Sequence, residues 1–211
     1  MAYHERRNTG LGAGAMTIIL IALNILVFLF GYVDRQNRLI YLALTPAYVL
    51  QAGAWWQVVT YMFVHAGWAH IFFNMLALFL FGTQLEHRMG SGEFLLFYFL
   101  CGIGAGLITL LINNATGMGA VPVVGASGAI YGLLLAFAGF FPDDRIYIFG
   151  ILPMRAPTAV LVFAVIEIVT QLTGLQAGVA HLAHLSGLLI AYLYMLLRFR
   201  INTVTLFFRR R

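Results

Sequence analysis

Apolar runs separated by short polar or glycine-bearing connections dominate the chain: Met16–Tyr32, His70–Leu85, Phe94–Ile112, Ser127–Phe141, Thr158–Leu172 and Val179–Phe199. Each is near or below the roughly 20 residues that a helix needs to cross a bilayer. The pattern predicts an all-α polytopic membrane protein, a bundle of six transmembrane helices over 16–32, 70–85, 94–112, 127–141, 158–172 and 179–199. Six crossings place both termini on one side of the membrane. No Pro- or Ser-rich linker and no repeat of fixed period divides the chain, which predicts one membrane-embedded domain over 1–211. The connection Val33–Ala69 carries Trp55, Trp56 and Trp68 with several tyrosines, a composition that lies in the headgroup layer. The segment Ile201–Arg211 reads as a basic surface tail.

Composition supports the membrane reading. Hydrophobic residues make up 62% of the chain and charged residues 9%, against about 25% charged in a soluble domain; the mean hydropathy is +0.93. All twelve basic residues are arginine. Arg6, Arg7, Arg88, Arg145, Arg155, Arg198, Arg200 and Arg209–Arg211 fall on the side of the termini, and only Arg35 and Arg38 fall opposite. The positive-inside rule therefore predicts cytoplasmic termini. The same asymmetry accounts for the net charge of +5 through contact with anionic headgroups, so no nucleic-acid partner is expected. The first run follows Arg6 and Arg7 as a signal peptide would, but no small-residue cleavage site closes it before Val33-Asp34-Arg35, and it reads as a retained helix. Cys101, the single cysteine, lies inside the third run and allows no internal disulfide.

Polar groups inside lipid are expensive and ask for a reason. Ser127 to Pro142 is about 15 residues, or roughly 22 Å of helix, against a hydrocarbon core of roughly 30 Å. Ser127 is thus expected some way below the external surface, with the loop Asn113–Ala126 dipping to meet it. The same arithmetic puts His184 on the order of 9 Å deep, His70 roughly 6 Å and Asn74 roughly 12 Å. Four polar side chains from three helices converge on one layer.

That layer has the makings of a hydrolase. A serine becomes nucleophilic when a base takes its proton, and histidine is the side chain suited to the task at neutral pH. Ser127 opens a helix, where unpaired N–H groups favour negative charge, and Gly125 and Gly128 allow a tight turn and close approach of a carbonyl. His70 and Asn74, four residues apart, share one face and can add donors to an oxyanion. His181 and His184 face the same way, and spacing alone does not choose between them as base. His184 leads because Gly187 and Ala191 lie on its face and admit a neighbouring helix, matching Gly128 and Gly132 on the fourth. Gly102, Gly104 and Gly106 on the third run read as packing alone, and His65 as a structural residue of the connection.

Over nearly its whole length the chain resembles the rhomboid intramembrane serine proteases. The resemblance is carried by His65-Ala66-Gly67-Trp68-Ala69-His70-Ile71-Phe72-Phe73-Asn74, Glu86-His87-Arg88, Gly125-Ala126-Ser127-Gly128-Ala129-Ile130-Tyr131-Gly132 and Ala183-His184-Leu185-Ser186-Gly187, in that order. It implies a Ser127–His184 dyad without a required acid, and an oxyanion hole of His70, Asn74 and the Ser127 amide. It also chooses His184 as the base, since the family's Ala-His-x-x-Gly falls on Ala183, His184 and Gly187. Tyr131 resembles the family aromatic that packs on the catalytic histidine, and Glu86 and Arg88 its structural ion-pair motif in the loop after the second span. Where the family often has Trp-Arg, this chain reads Trp56-Gln57, which questions the arginine contacts of that loop but not catalysis. Glu167, the one acid well inside a span, is assigned a hydrogen-bonded structural role.

These readings lead to an intramembrane serine endopeptidase that cuts transmembrane substrates near their external ends, needs no cofactor or metal, and sits in a bacterial plasma membrane. A water-filled cavity above Ser127 is expected, and substrates are expected to carry helix-breaking residues, because a helical backbone hides its carbonyls. Gly125, Phe73, Tyr131 and the fifth helix are candidates for substrate contact. Two rivals stand beside it. One is a haem- or metal-binding membrane protein using His65, His70, His181 and His184; the other is a rhomboid-like protein that binds membrane clients without cutting them. The former leaves Ser127 and its glycines unexplained, and the retained Ser127 and His184 weigh against the latter.

Overall fold

Helix-forming apolar sequence, interrupted by glycine and proline, gives a chain whose described residues are mostly helical. The computed structural model describes residues 14–148, 150–174 and 180–207; Arg6, Arg7 and Arg209–Arg211, counted above for orientation, lie outside the described residues. Among the described residues, four helices are long and apolar enough to cross a membrane, Trp68–Met89, Ser91–Ala115, Ala156–Thr173 and His181–Phe199. Two shorter apolar helices complete the bundle, the first beginning at Ala15 and the fourth, Ser127–Phe140, beginning at the serine. Large apolar side chains such as Phe30, Leu111, Leu172 and Leu197 are exposed around the outside. That is the surface expected of a protein whose solvent is hydrocarbon.

The short fourth helix is the centre of the molecule, with ten of its 14 residues buried. It packs most closely against the sixth helix and the third. Small residues make this possible. A Cβ added at Gly132 would stand 2.7 Å from Cys101 Sγ, and one at Gly128 would stand 2.8 Å from the Ala105 Cβ. On the third helix, Gly104 makes room for Ile190, Gly102 for Met62 and Gly106 for the Tyr61 ring, whose hydroxyl donates to the Gly102 carbonyl at 2.6 Å.

The connection between the first and second helices of the bundle is itself largely helical, with Arg35–Leu42, Pro46–Ala52 and Gln57–Thr60 followed by one tighter turn at Tyr61–Phe63. Its backbone is laced to the loop ahead of Ser127. Leu44 and Val123 exchange N–H···O bonds of 3.0 and 2.9 Å, Ala47 N–H donates to Gly119, and Gly125 N–H donates to the Tyr61 carbonyl at 2.9 Å. Gln57, in place of the arginine seen in the family, is fully buried: its Oε1 accepts from Thr45 N–H at 3.0 Å and its Nε2 donates to the Ile40 carbonyl at 2.8 Å. The amide thus helps tie this connection together, alongside the Trp56 indole N–H, which donates to the Tyr41 carbonyl at 2.7 Å, and the Thr60 hydroxyl, which donates to the Leu42 carbonyl at 2.9 Å.

Three features differ from the sequence expectations. Arg145–Ile148 and Leu152–Arg155 form an antiparallel hairpin between the fourth and fifth helices, in a connection where the hydropathy pattern predicts no element. Residues at the start of the expected surface tail turn back against the bundle: Thr203 is buried and, with Ile201, meets the space beside Gly139. A short helix, Val204–Phe207, follows. Glu86 and Arg88 lie in the last turn of the second helix instead of in a loop. The Glu86 carboxylate accepts from Met16 N–H (3.0 Å), Thr17 N–H (2.8 Å), the Thr17 hydroxyl (2.8 Å) and the Ser91 hydroxyl (2.7 Å). It therefore satisfies two of the N–H groups that open the first helix, those of Met16 and Thr17, while the Arg88 guanidinium lies over the Phe140 ring at 5.3 Å.

Candidate active site

Gly125 has φ +119°, a conformation that disfavours any residue with a Cβ. That turn swings the chain into the fourth helix so that Ser127 is its first residue. The Ser127 N–H is one of the four that a helix start leaves unpaired. On the facing helix, Ala183, His184 and Gly187 lie against it, and a Cβ at Gly187 would fall 1.9 Å from the Gly128 carbonyl oxygen. Only hydrogen at position 187 allows the two backbones this approach.

The approach puts Ser127 Oγ 2.7 Å from His184 Nε2. Tyr131, one turn further along the serine helix, lies parallel to the His184 ring, with centroids 4.4 Å apart and 7° between planes. His184 is 8% exposed, whereas Ser127 and His70 are only half-buried. The Ser127 hydroxyl is therefore reachable while the imidazole beside it is held.

His70 sits across from Gly125. A Cβ on that glycine would lie 2.9 Å from His70 Nε2 and 3.6 Å from Ser127 Oγ, so both atoms border one small space. Ala66 N–H donates to His70 Nδ1 at 3.3 Å. The ring proton then belongs on Nε2, which faces that space as a donor. Asn74 is buried one turn below, but its Nδ2 donates back to the His70 carbonyl at 2.7 Å, and among the described residues its Oδ1 has no hydrogen-bond partner. Of its two amide hydrogens, one is left for another acceptor.

Behind His184 lies a carboxylate whose connections the sequence reading did not anticipate. Glu167 is buried. Its Oε1 accepts the Tyr131 hydroxyl and lies 3.0 Å from His184 Nδ1; its Oε2 lies 2.5 Å from His181 Nδ1. Thr170 adds its hydroxyl 3.1 Å from the same His181 nitrogen. The available signal was one acid within an otherwise apolar run. Among the described residues, Glu167, His181 and His184 are also the group whose ligand atoms converge, all within 4.8 Å. Their spacings of 2.5 and 3.0 Å are those of polar groups in direct contact. His65 and His70, the other two histidines of the metal reading, belong to a different pair, with rings edge to face at 5.0 Å. Phe73 is 57% exposed on the outer side of the second helix beside Phe72. Glu86 and Arg88 lie at the other end of that helix from His70.

The rhomboid domain model matches residues 52–201, which takes in all of these groups. The chain is 30% identical over 206 residues to the rhomboid protease AarA of Providencia stuartii, covering 87% of this chain and 72% of that protein. It is 31% identical over 184 residues to the rhomboid protease GlpG of Haemophilus influenzae, covering 86% of this chain and 89% of the other. Identity reaches 35% over 127 residues with the rhomboid protease GluP of Bacillus subtilis, covering 58% of this chain and only 24% of that longer protein. This chain is a multi-pass membrane protein and belongs to the rhomboid family.

Proposed function

We propose that this protein is an intramembrane serine endopeptidase acting through Ser127 and His184. The observation that carries the reading is the 2.7 Å contact between Ser127 Oγ and His184 Nε2, made at the open end of a buried helix. Ser127 Oγ attacks the carbonyl carbon of the scissile bond as its proton passes to His184 Nε2. The oxyanion formed is held by the Ser127 N–H, by His70 Nε2–H and by the second Asn74 amide hydrogen. His184 returns the proton to the leaving amine, and water, activated by the same nitrogen, releases the acyl group from Ser127.

The substrates we infer are transmembrane segments that enter from lipid and unwind locally beside Ser127. Exposed Phe72 and Phe73 and the sparsely buried fifth helix flank that route. The proposed orientation keeps the termini cytoplasmic, with cleavage toward the external face of a bacterial plasma membrane. The whole of 1–211 is taken as one functional unit, with oxyanion-hole residues and substrate contacts as assigned above.

The test is cleavage of a single-span substrate carrying a helix-breaking residue near its external end, in proteoliposomes. Wild-type protein should yield two fragments, and Ser127→Ala none. Equal cleavage by Ser127→Ala would exclude the assignment.

A further inference from the structure

For Ser127 to lose its proton to His184, Nε2 must present a lone pair, which leaves the ring hydrogen on Nδ1. A buried N–H needs an acceptor. Among the described residues the oxygen that faces His184 Nδ1 is Glu167 Oε1, at 3.0 Å, and no other hydrogen-bond partner reaches this nitrogen. Resting on the proteolytic reading above, we propose that Glu167 is a positioning residue for the base: its carboxylate selects the His184 tautomer that can accept the Ser127 proton and balances the imidazolium that results.

The surroundings hold the carboxylate to this task. The Tyr131 hydroxyl and His181 Nδ1, one on each oxygen, already satisfy Glu167 on the side away from His184. Thr170 donates to the carbonyls of Ile166 and Glu167, so its oxygen lone pairs accept from His181 and keep the His181 proton on Nδ1. His181 is thus a second imidazole that orients the carboxylate and not a second base. Tyr131 ties the pieces together, because the ring that stacks on His184 also carries the hydroxyl bound to Glu167.

The His184 N–H is not lined up on Oε1 as a hydrogen bond in the resting geometry. Alignments of this kind tighten when substrate binds. In the reaction the proton moves from Ser127 Oγ to His184 Nε2, the imidazole becomes cationic, and Glu167 keeps its negative charge. Unlike an acid that merely fills a polar pocket, a carboxylate with this role acts through its charge.

Charge and shape are separable with the full-length protein in proteoliposomes. Glu167→Gln keeps the shape and places an amide N–H₂ or a neutral oxygen at Nδ1. We expect kcat to fall at least about tenfold at unchanged KM, toward the roughly 10⁴-fold that exchanging a triad carboxylate for its amide costs a serine protease. Glu167→Asp keeps the charge on a shorter stem and should recover part of that loss. A residue needed only for structure would rank the variants the other way, with Gln, the isostere, more active than Asp. Folded Glu167→Gln with wild-type kcat overturns the proposal. Should that variant not fold, Tyr131→Phe decides: removing the hydroxyl while keeping the stacked ring should lower kcat severalfold at constant KM, and wild-type kcat overturns the proposal. Ser127→Ala in the same assay separates the two assignments. If it still cleaves, the proteolytic reading itself fails; if it is inert while Glu167→Gln turns over normally, only the role of Glu167 is lost.

Discussion

One hydrogen atom decides whether the serine and the histidine meet. At Gly187 an added Cβ would overlap the Gly128 carbonyl oxygen at 1.9 Å, and backbone on both sides leaves nothing flexible to yield. Gly187→Ala should therefore push the two helices apart, costing about 1–3 kcal/mol of stability and, because displacement of about 1 Å misaligns reacting groups, on the order of 10²-fold in kcat. Thermal unfolding in detergent and substrate cleavage read the two effects. Gly92 is the control, a helical glycine with open space around its would-be Cβ; Gly92→Ala should leave turnover unchanged and stability the same or slightly higher. Gln57 makes a second case at this scale. Both ends of its side chain bond buried backbone, so Gln57→Leu should cost about 1–3 kcal/mol by leaving those groups unpaired, seen as faster proteolytic nicking of residues 35–60 with turnover of the intact fraction preserved.

Among the elements, the first helix depends most visibly on a partner from elsewhere. Glu86 receives its opening N–H groups and the Thr17 hydroxyl, so Glu86→Ala leaves several buried donors without an acceptor. The expected outcome is a loss of about 2–4 kcal/mol in unfolding experiments, while kcat of the folded fraction holds, since Glu86 stands at the far end of its helix from His70. The helices themselves were legible from apolar run length, and the meeting of Ser127 with His184 from counting depth along two separate runs. The small residues that let those helices touch were readable too, because Gly128, Gly132, Gly187 and Ala191 recur at one-turn spacing. What one-dimensional counting could not supply is rotation about a helix axis. Whether Glu167 points to lipid, to its own backbone or to His184 depends on how the fifth helix is turned, and that is set by packing. A rotamer is equally invisible, which is why Asn74 was readable as a donor but not as one engaged with the His70 carbonyl. The hairpin at 145–155 escaped notice because two four-residue strands carry too little alternation to stand out.

At the scale of the whole molecule, a polar centre is assembled inside an apolar bundle at the end where one helix starts late. The proposed orientation rests on the arginine distribution and is open to direct test. In intact cells a membrane-impermeant maleimide should modify Met118→Cys, on the turn before the serine helix, and should modify Asp144→Cys only after permeabilisation; buried Cys101 should stay unlabelled in both. The reverse labelling pattern would invert the proposed topology. Proteolysis as proposed requires that Ser127 be activated by His184. Intact-protein mass measurement after treatment with a fluorophosphonate tests this most directly. One adduct per chain is predicted, located at Ser127, absent in Ser127→Ala and formed at a small fraction of the wild-type rate in His184→Ala. Undiminished adduct in either variant would contradict it.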